Sequence, residues 1–428
     1  MRKKVLVKGP ALSRSGYGEQ TRFALRVLRS REDLFDIYLI NIPWGQTGFI
    51  IADDEERQWL DDILSKTIQY MQTSREFDAS LQVTIPNEWE QMAPINIGYT
   101  AGIETTKVAP VWIGKGLEMD KIIVVSNHSK QVYETTTCVA RNEETGEEKE
   151  NFRLETPISA VNYPVRHFEP VKMPDVKLEY DFNFLAVAQW GPRKNLGNTI
   201  KWFVEEYRNE EVGLVVKCNI ANDSLVDQEG TENQLRGLLQ SLGERKCKVY
   251  LIHGTLTENQ MTWLYQHKKI KAMVSLTHGE GFGLPLFEAA YNALPIICPL
   301  WSGQADFLYA TNKKGKIRPM VAKVAYTMQP VPPEAVWEGV VEKDSMWAVS
   351  DEKSYKQQLR EVYKNYPRFK SQANLLKKHI NKNFAEDDIY QEFIEAFWPD
   401  DKWGPLDDAA ENFDVESWLQ NLDLETHE

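Results

Sequence analysis

The sequence predicts an α/β protein of two domains, each built around a parallel sheet, that face each other across a cleft. Two series of short apolar runs alternate with helical stretches, the first beginning at 5–7 and the second at 184–188. This alternation is typical of parallel sheets covered by helices on both faces. A proline-rich, charged stretch at 164–181 separates the two series and is interpreted as a linker.

The domain boundaries follow from these patterns. We expect an N-terminal domain at 1–170, a C-terminal domain at 171–385, and a C-terminal helix with an acidic tail at 386–428 that packs back on the N-terminal domain. An acidic run around a Thr-Gly turn predicts an exposed insertion at about 138–160. Residues 311–347, rich in proline and lysine, are interpreted as a second insertion, such as a lid.

Composition limits the classes of function. The chain has 428 residues with 50 basic and 63 acidic side chains, a net charge of −13, which disfavours non-specific attraction to nucleic acid or anionic lipid. Its four cysteines form no C-x-x-C pair, which favours a reduced, intracellular protein. The sequence shows no signal peptide and no apolar stretch of membrane-spanning length. We therefore expect a cytoplasmic protein, soluble or peripheral at the inner membrane face.

The most informative stretch is HGEGFGLPLFE at 278–288, directly after the predicted strand 272–276. Pro285 suits the first turn of a helix, so Glu280 falls in the loop and Glu288 about one turn inside the helix. The intervening glycines allow close backbone approach, and the helix N-terminus adds partial positive charge. Carboxylates accept hydrogen bonds from vicinal hydroxyls, so the stretch predicts a corner that binds anions and sugar hydroxyls. An ordinary glycine turn before a helix is the alternative.

Two adjacent cations, Arg193 and Lys194, follow the first strand of the second series. An Arg fork beside a Lys point charge suits a diphosphate. A solvated cationic turn is the alternative.

The 278–288 stretch resembles the E-x7-E motif of the retaining GT-B glycosyltransferases, the group 1 family, with Glu280 and Glu288 at the motif positions. The resemblance implies the GT-B fold of two Rossmann-like domains and transfer of a sugar from a UDP- or GDP-sugar with retention of anomeric configuration. It also implies that Glu280 contacts the transferred sugar, that Glu288 contacts the ribose, and that Arg193 and Lys194 neutralise the leaving diphosphate.

The resemblance implies further residues that bind the nucleotide-sugar donor. They come from the glycine loop after the first strand, from the segment that frames the base and from the motif itself: Gly16, Tyr17, Gly18, Gly254, Leu256, Gly281, Phe282, Gly283 and Leu284. Many relatives carry a histidine near residue 104, whereas this chain has none at 95–110. Glu104 is therefore predicted to take a polar catalytic role, with a helix-cap carboxylate as the alternative. No D-x-D stands at a strand end, so we expect no metal and no cofactor beyond the nucleotide sugar.

The acceptor is expected to be a glycan or a lipid-linked glycan. Other functions stay open at this point: a viral DNA glycosyltransferase acting on hydroxymethylated pyrimidine bases, a non-catalytic nucleotide-sugar-binding protein, and a nucleotide-sugar epimerase with the same two-domain architecture.

Overall fold

The computed structural model describes residues 2–406 apart from 142–145, 147 and 313. The acidic part of the predicted tail and the turn of the predicted acidic insertion lie outside the described residues. No helix in the described ranges is both long and apolar enough to cross a membrane.

The N-terminal domain carries a six-stranded parallel sheet with the strand order β2-β1-β3-β4-β5-β8. The strands of this half of the chain are β1 Lys3–Gly9, β2 Phe35–Asn41, β3 Ala79–Val83, β4 Ile95–Thr100, β5 Lys121–Val124, β6 Cys138–Arg141, β7 Glu148–Phe152 and β8 Ile158–Ala160. Its helices are α1 Gly16–Arg29, α2 Glu55–Thr73, α3 Pro110–Leu117 and α4 Asn127–Thr135.

Helix α1 includes residues that the sequence predicts to lie in a glycine loop. Ser15 is its N-cap and accepts a hydrogen bond from the amide of Gly18, so Gly16, Tyr17 and Gly18 form the first helical turn rather than a loop. The apolar side of the helix, including the fully buried Phe23, packs over β1, whose central residues are also buried. The C-terminal end of β1 and the N-terminus of α1 thereby face the cleft.

The predicted insertion at 138–160 contains two different structures. Strands β6 and β7 pair as an antiparallel hairpin of largely exposed residues. Strand β8, however, pairs with β5 as the sixth strand of the domain's sheet, so residues 158–160 belong to the sheet and not to an insertion. The three-residue strand is too short to show a period in the sequence.

The C-terminal domain carries a second six-stranded parallel sheet with the order β11-β10-β9-β12-β13-β16. Its strands are β9 Asn183–Gln189, β10 Gly213–Asn219, β11 Lys248–Ile252, β12 Ile270–Val274, β13 Ile296–Pro299, β14 Tyr309–Thr311, β15 Ile317–Pro319, β16 Ala322–Val324, β17 Tyr326–Pro330 and β18 Met346–Ser350. The helices are α5 Leu196–Tyr207, α6 Leu225–Ser241, α7 Glu258–Gln266, α8 Leu284–Tyr291, α9 Glu352–Lys364, α10 Tyr366–Asn383, α11 Glu386–Phe397 and α12 Asp400–Trp403.

The order of this second sheet reverses direction between β9 and β12, which are neighbours in space. In doubly wound sheets, ligands bind outside the carboxyl ends of the strands at such a switch point. The Arg193 segment follows β9 and the Glu280 loop follows β12, so the topology brings the two motifs side by side.

Residues 311–347 are also not a single insertion. Strand β16 pairs with β13 and completes the sheet. The long hairpin of β17 and β18 extends to the N-terminal domain, where Thr106 and Met346 exchange hydrogen bonds of 3.0 and 2.9 Å, and the amide of Asn87 donates to the Gly339 carbonyl at 3.0 Å. This hairpin therefore bridges the two domains.

The last long helix, α11, lies against the N-terminal domain. Phe393 packs edge-on against Phe23 of α1 at 5.5 Å between ring centroids, and Phe397 packs similarly against Phe35 of β2. Both phenylalanines are fully buried. The chain thus crosses back to its first domain after finishing the second.

Candidate functional site

A cavity of about 640 Å³ lies between the two domains, at the carboxyl ends of both parallel sheets. This size is in the range of small-molecule sites. Predicted site residues that line it are Gly16, Tyr17, Glu104, Arg193, Lys194, Leu256, Glu280, Gly281, Phe282, Gly283, Leu284 and Glu288.

Three charged side chains of the C-terminal domain meet at the switch point. The ammonium of Lys194 lies 2.7 Å from both carboxylate oxygens of Glu280, and Arg193 Nη1 lies 3.2 Å from Glu280 Oε2. Arg193 also donates to the carbonyl of Gly279 at 2.6 Å. The cationic turn and the first motif carboxylate therefore form one cluster.

The cluster determines the charge of its members. Burial disfavours the ionised carboxylate of Glu280, but the charges of Lys194 and Arg193 outweigh burial and lower its pKa to about 2. Burial and the neighbouring Arg193 lower the pKa of Lys194. The Glu280 carboxylate is therefore ionised and paired with Lys194 and Arg193. Without it, these two cations would attract another anion.

The N-terminal domain adds a fourth charge. Glu104 Oε1 lies 3.1 Å from Arg193 Nη2, although the two residues belong to opposite domains. Glu104 follows β4, as Glu280 follows β12, so facing strand ends deliver the two carboxylates to one guanidinium. The structure therefore places Glu104 beside Arg193, another predicted catalytic residue. There the Glu104 carboxylate forms an ion pair and does not cap a helix.

The glycines of the motif permit close contact between backbones. A Cβ at Gly279 would lie 2.1 Å from the Glu104 carbonyl oxygen, and one at Gly281 would lie 2.5 Å from the Ala101 carbonyl oxygen. A Cβ at Gly303 would lie 1.9 Å from the carbonyl oxygen of Gly281. Only glycine fits these three approaches, two of which cross the cleft.

The turn after β13 is hydrogen-bonded to the loop that contains Glu280. The amide of Glu280 donates to Ser302 Oγ at 2.8 Å, and the amide of Gly303 donates to the Glu280 carbonyl at 2.9 Å. Asp306, at the end of this turn, accepts hydrogen bonds from Asn127 and Asn162 of the N-terminal domain. This turn thus positions Glu280 and joins the domains.

Glu288 stands inside α8, as its spacing from Glu280 predicts, and lines the same cavity. Tyr265 Oη donates to Glu288 Oε2 at 2.8 Å. Burial is the main influence on this carboxyl group and raises its pKa to about 7, although the Tyr265 hydrogen bond opposes the shift. The two motif carboxylates therefore differ widely in acidity within one cavity.

Two predicted donor-binding glycines do not line the cavity. Gly18 lies inside the first turn of α1, where a Cβ would come within 1.9 Å of the Ser13 carbonyl oxygen, so the turn itself requires glycine. Gly254 has a φ of +87° and serves the bend after β11, whereas Leu256 reaches the cavity. Direct donor contact by Gly18 and Gly254 stays a prediction, which their positions outside the cavity lining do not support.

Phe282 also has a structural role. Its side chain is 3% exposed and packs against Tyr163, Phe287 and Phe307 at 5.0 to 5.2 Å between centroids. It anchors the motif loop in the core beneath the cavity.

Other side chains that line the cavity were not predicted from the sequence. Lys217 stands on β10, Tyr265 on α7, and Trp44 in the loop after β2. Lys217 interrupts an apolar strand run, and that is the one sequence signal that could have revealed it. Trp44 and Tyr265 give no comparable signal.

Comparison with known proteins adds two findings. Residues 226–392 match the model of a family described as Family 4 Glycosyltransferase in conflict systems. No curated protein shows a significant sequence match.

Several solved structures share the architecture over nearly the whole chain. HepE from Anabaena, in complex with UDP and glucose, is 11% identical over 92% of this chain and 99% of its own, with a TM-score of 0.56. Sucrose-phosphate synthase from Thermosynechococcus elongatus is 11% identical over 92% and 98%, with a TM-score of 0.57. A glycosyltransferase from Rickettsia africae is 10% identical over 92% and 98%, with a TM-score of 0.54.

The chain has the GT-B fold. The predicted resemblance to the GT-B glycosyltransferases is confirmed by the family match and by these neighbours. The family match over 226–392 supports a glycosyltransferase, and the comparisons do not favour the DNA-modifying or the non-catalytic alternative.

Proposed function

We propose that this GT-B protein transfers a sugar from a UDP- or GDP-sugar to a hydroxyl of a glycan or lipid-linked glycan, with retention of anomeric configuration. The observation that carries the proposal is the meeting of Arg193, Lys194, Glu280 and Glu104 at one point of the interdomain cavity. The complex of HepE with UDP and glucose supports a nucleotide-sugar donor for this fold.

The ion pairs suggest how a donor would be received. In this structure Glu280 occupies both Lys194 and Arg193. A donor diphosphate offers the same two cations a stronger anion, so we propose that it replaces Glu280 as their partner. The Glu280 carboxylate is then available to accept hydrogen bonds from hydroxyls of the donor sugar.

The chemical step breaks the bond between the anomeric carbon and the diphosphate oxygen. The acceptor oxygen bonds to that carbon, negative charge develops on the departing diphosphate, and an oxygen of that diphosphate takes up the acceptor's proton. Pre-positioned cations stabilise such charge without reorganisation during the reaction. Arg193 and Lys194 are the groups we assign to this task, and Glu288 is assigned to the ribose.

Metal independence stays a prediction of the proposal, as do the cytoplasmic location and a peripheral membrane contact for a lipid-linked acceptor. The residues assigned above provide the positive charge that the departing diphosphate needs.

Thermal-shift measurements with UDP, GDP and their common sugar conjugates test the donor. We expect one nucleotide sugar to raise the melting temperature by several degrees, since a ligand bound only to the folded state stabilises it. Proton NMR of the transfer product then reports anomeric configuration. A panel with no stabilising nucleotide would contradict the proposed function, and an inverted product would contradict retention.

A further inference from the structure

An indole ring lies on the N-terminal wall of the cavity, whereas Arg193, Lys194 and Glu280 lie on the C-terminal wall. Trp44 stands in the loop after β2 and lines the cavity. It belongs to none of the hydrophobic clusters formed by the described residues. Packing of a domain core therefore does not explain a tryptophan at this position.

Tyr17 supports the indole from one side. The two ring centroids are 4.5 Å apart, with the ring planes tilted by 40°. The Tyr17 hydroxyl lies 2.7 Å from Thr100 Oγ1 at the end of β4, which fixes the phenol ring. Trp44 is therefore in contact with Tyr17 and also lines the cavity, where a ligand can reach it.

The loop that carries Trp44 is held in place by hydrogen bonds. The Thr47 hydroxyl donates to the Trp44 carbonyl at 2.8 Å and lies 2.7 Å from the Ser13 hydroxyl. The amide of Arg14 donates to the Gly48 carbonyl at 2.8 Å. A fixed aromatic ring loses little conformational entropy when a ligand binds to it.

We propose that Trp44 is the platform on which a pyranose ring of the acceptor stacks. The inference rests on the proposed function, because it assigns a substrate class to that same cavity. The charged groups assigned to the donor belong to the C-terminal domain, so an acceptor must approach them from the wall that carries Trp44. The apolar C–H face of a pyranose matches an indole, which is large, rigid and apolar.

Neighbouring polar groups suit the hydroxyls of such a ring. Glu104 lines the cavity from the same domain, and its carboxylate can accept a hydrogen bond from a sugar hydroxyl. Arg14 also lines the cavity and uses only its Nε in a hydrogen bond, to the Phe49 carbonyl, among the described residues. Its remaining N–H groups can donate to sugar oxygens.

Calorimetric titration of the full chain, saturated with whichever of UDP and GDP it binds, tests the proposal. The probes are methyl α- and β-glucopyranoside, methyl α-galactopyranoside and maltose, with thymidine as a planar ring that also stacks on indole. Variants W44A and W44F are compared with F49A. Phe49 stands in the same loop, is 50% exposed and does not line the cavity, which makes it the matched control.

We expect at least one glycoside to bind, W44A to weaken that binding about tenfold, and W44F to weaken it less, because a smaller aromatic ring remains. F49A should match the wild type, and all variants should keep the nucleotide affinity of the wild type. Equal glycoside affinity in W44A and wild type, binding of no glycoside, or preferential binding of thymidine on Trp44 would each overturn the proposal. Failure of the wild type to bind any nucleotide would instead refute the proposed function.

Discussion

Glu104 and Arg193 form an ion pair of 3.1 Å across the domain boundary. Arg193 is therefore bound by one carboxylate from each domain, Glu104 from the first and Glu280 from the second. Burial opposes its charge, but these two carboxylates outweigh burial and raise the pKa of Arg193. The guanidinium stays charged and is oriented by both halves of the molecule before any ligand arrives.

Substitution of Arg193 by Ala should lower kcat by about 10²- to 10³-fold, the usual cost of removing one group that stabilises developing charge. Steady-state transfer assays with the nucleotide sugar identified by thermal shift would measure this. R193K keeps the charge but loses the planar fork, and should fall between wild type and R193A. Wild-type turnover in R193A would remove Arg193 from the mechanism.

A double-mutant cycle with E104Q and R193Q measures the cross-cleft pair. Both side chains are partly exposed, so we expect a coupling free energy of about 1 kcal/mol for binding of the nucleotide sugar. Isothermal titration of the four proteins provides the values. Additive effects of the two substitutions would mean that the pair has no energetic role in the site.

The pKa of Glu288, raised by burial to about 7, predicts a pH-dependent stability. Between its ordinary pKa of 4.5 and 7 the native state holds a proton that the unfolded chain releases, so this contribution is complete below 4.5 and is lost as pH rises through 7. Urea unfolding at pH 5.5 and pH 8 should show wild type losing roughly 1 to 3 kcal/mol more than E288Q. An equal loss of unfolding free energy in wild type and E288Q would contradict the raised pKa of Glu288.

Gly303→Ala should displace the motif loop, because the new Cβ would lie 1.9 Å from the Gly281 carbonyl oxygen. Forced contacts of this kind cost about 1 to 3 kcal/mol. Gly191→Ala is the matched control, since that position near Arg193 has open space and a φ of −133°. We expect a lower melting temperature and lower activity only in G303A, and equal behaviour of the two variants would contradict the steric argument.

Transfer activity is expected to survive removal of divalent ions, because Arg193 and Lys194 are assigned to the diphosphate charge. Activity would be measured after exhaustive dialysis against EDTA and again after addition of Mg²⁺ or Mn²⁺. A loss of activity with EDTA that either ion restores would show that the cations of the chain do not suffice.

Much of the architecture was predictable because most of the parallel strands leave clear apolar runs. Strand β3 was not predicted, because Ser80 and Gln82 interrupt its apolar residues. Strands β8 and β16 were not predicted either, since each has three residues and stands within a polar or lysine-rich stretch. Both complete a sheet through pairing with a distant strand. Such pairing depends on tertiary contacts that no local period reveals.

The charged cluster at the switch point was predictable from Arg193, Lys194 and Glu280, which follow strands that doubly wound topology makes neighbours. The contact between Glu104 and Arg193 was not predictable from the sequence, because it depends on how the two domains face each other. Gly18 and Gly254 do not line the cavity, and a glycine near a site can serve the local turn as readily as a ligand.

The glycine contacts between the two domains have a consequence for recognising activity in related sequences. Gly279 and Gly281 are required by backbone proximity alone, so a descendant that had lost all chemistry would still be under pressure to keep them. Glycine spacing therefore identifies the closed architecture, whereas only the charged positions can distinguish a working enzyme from an inert copy.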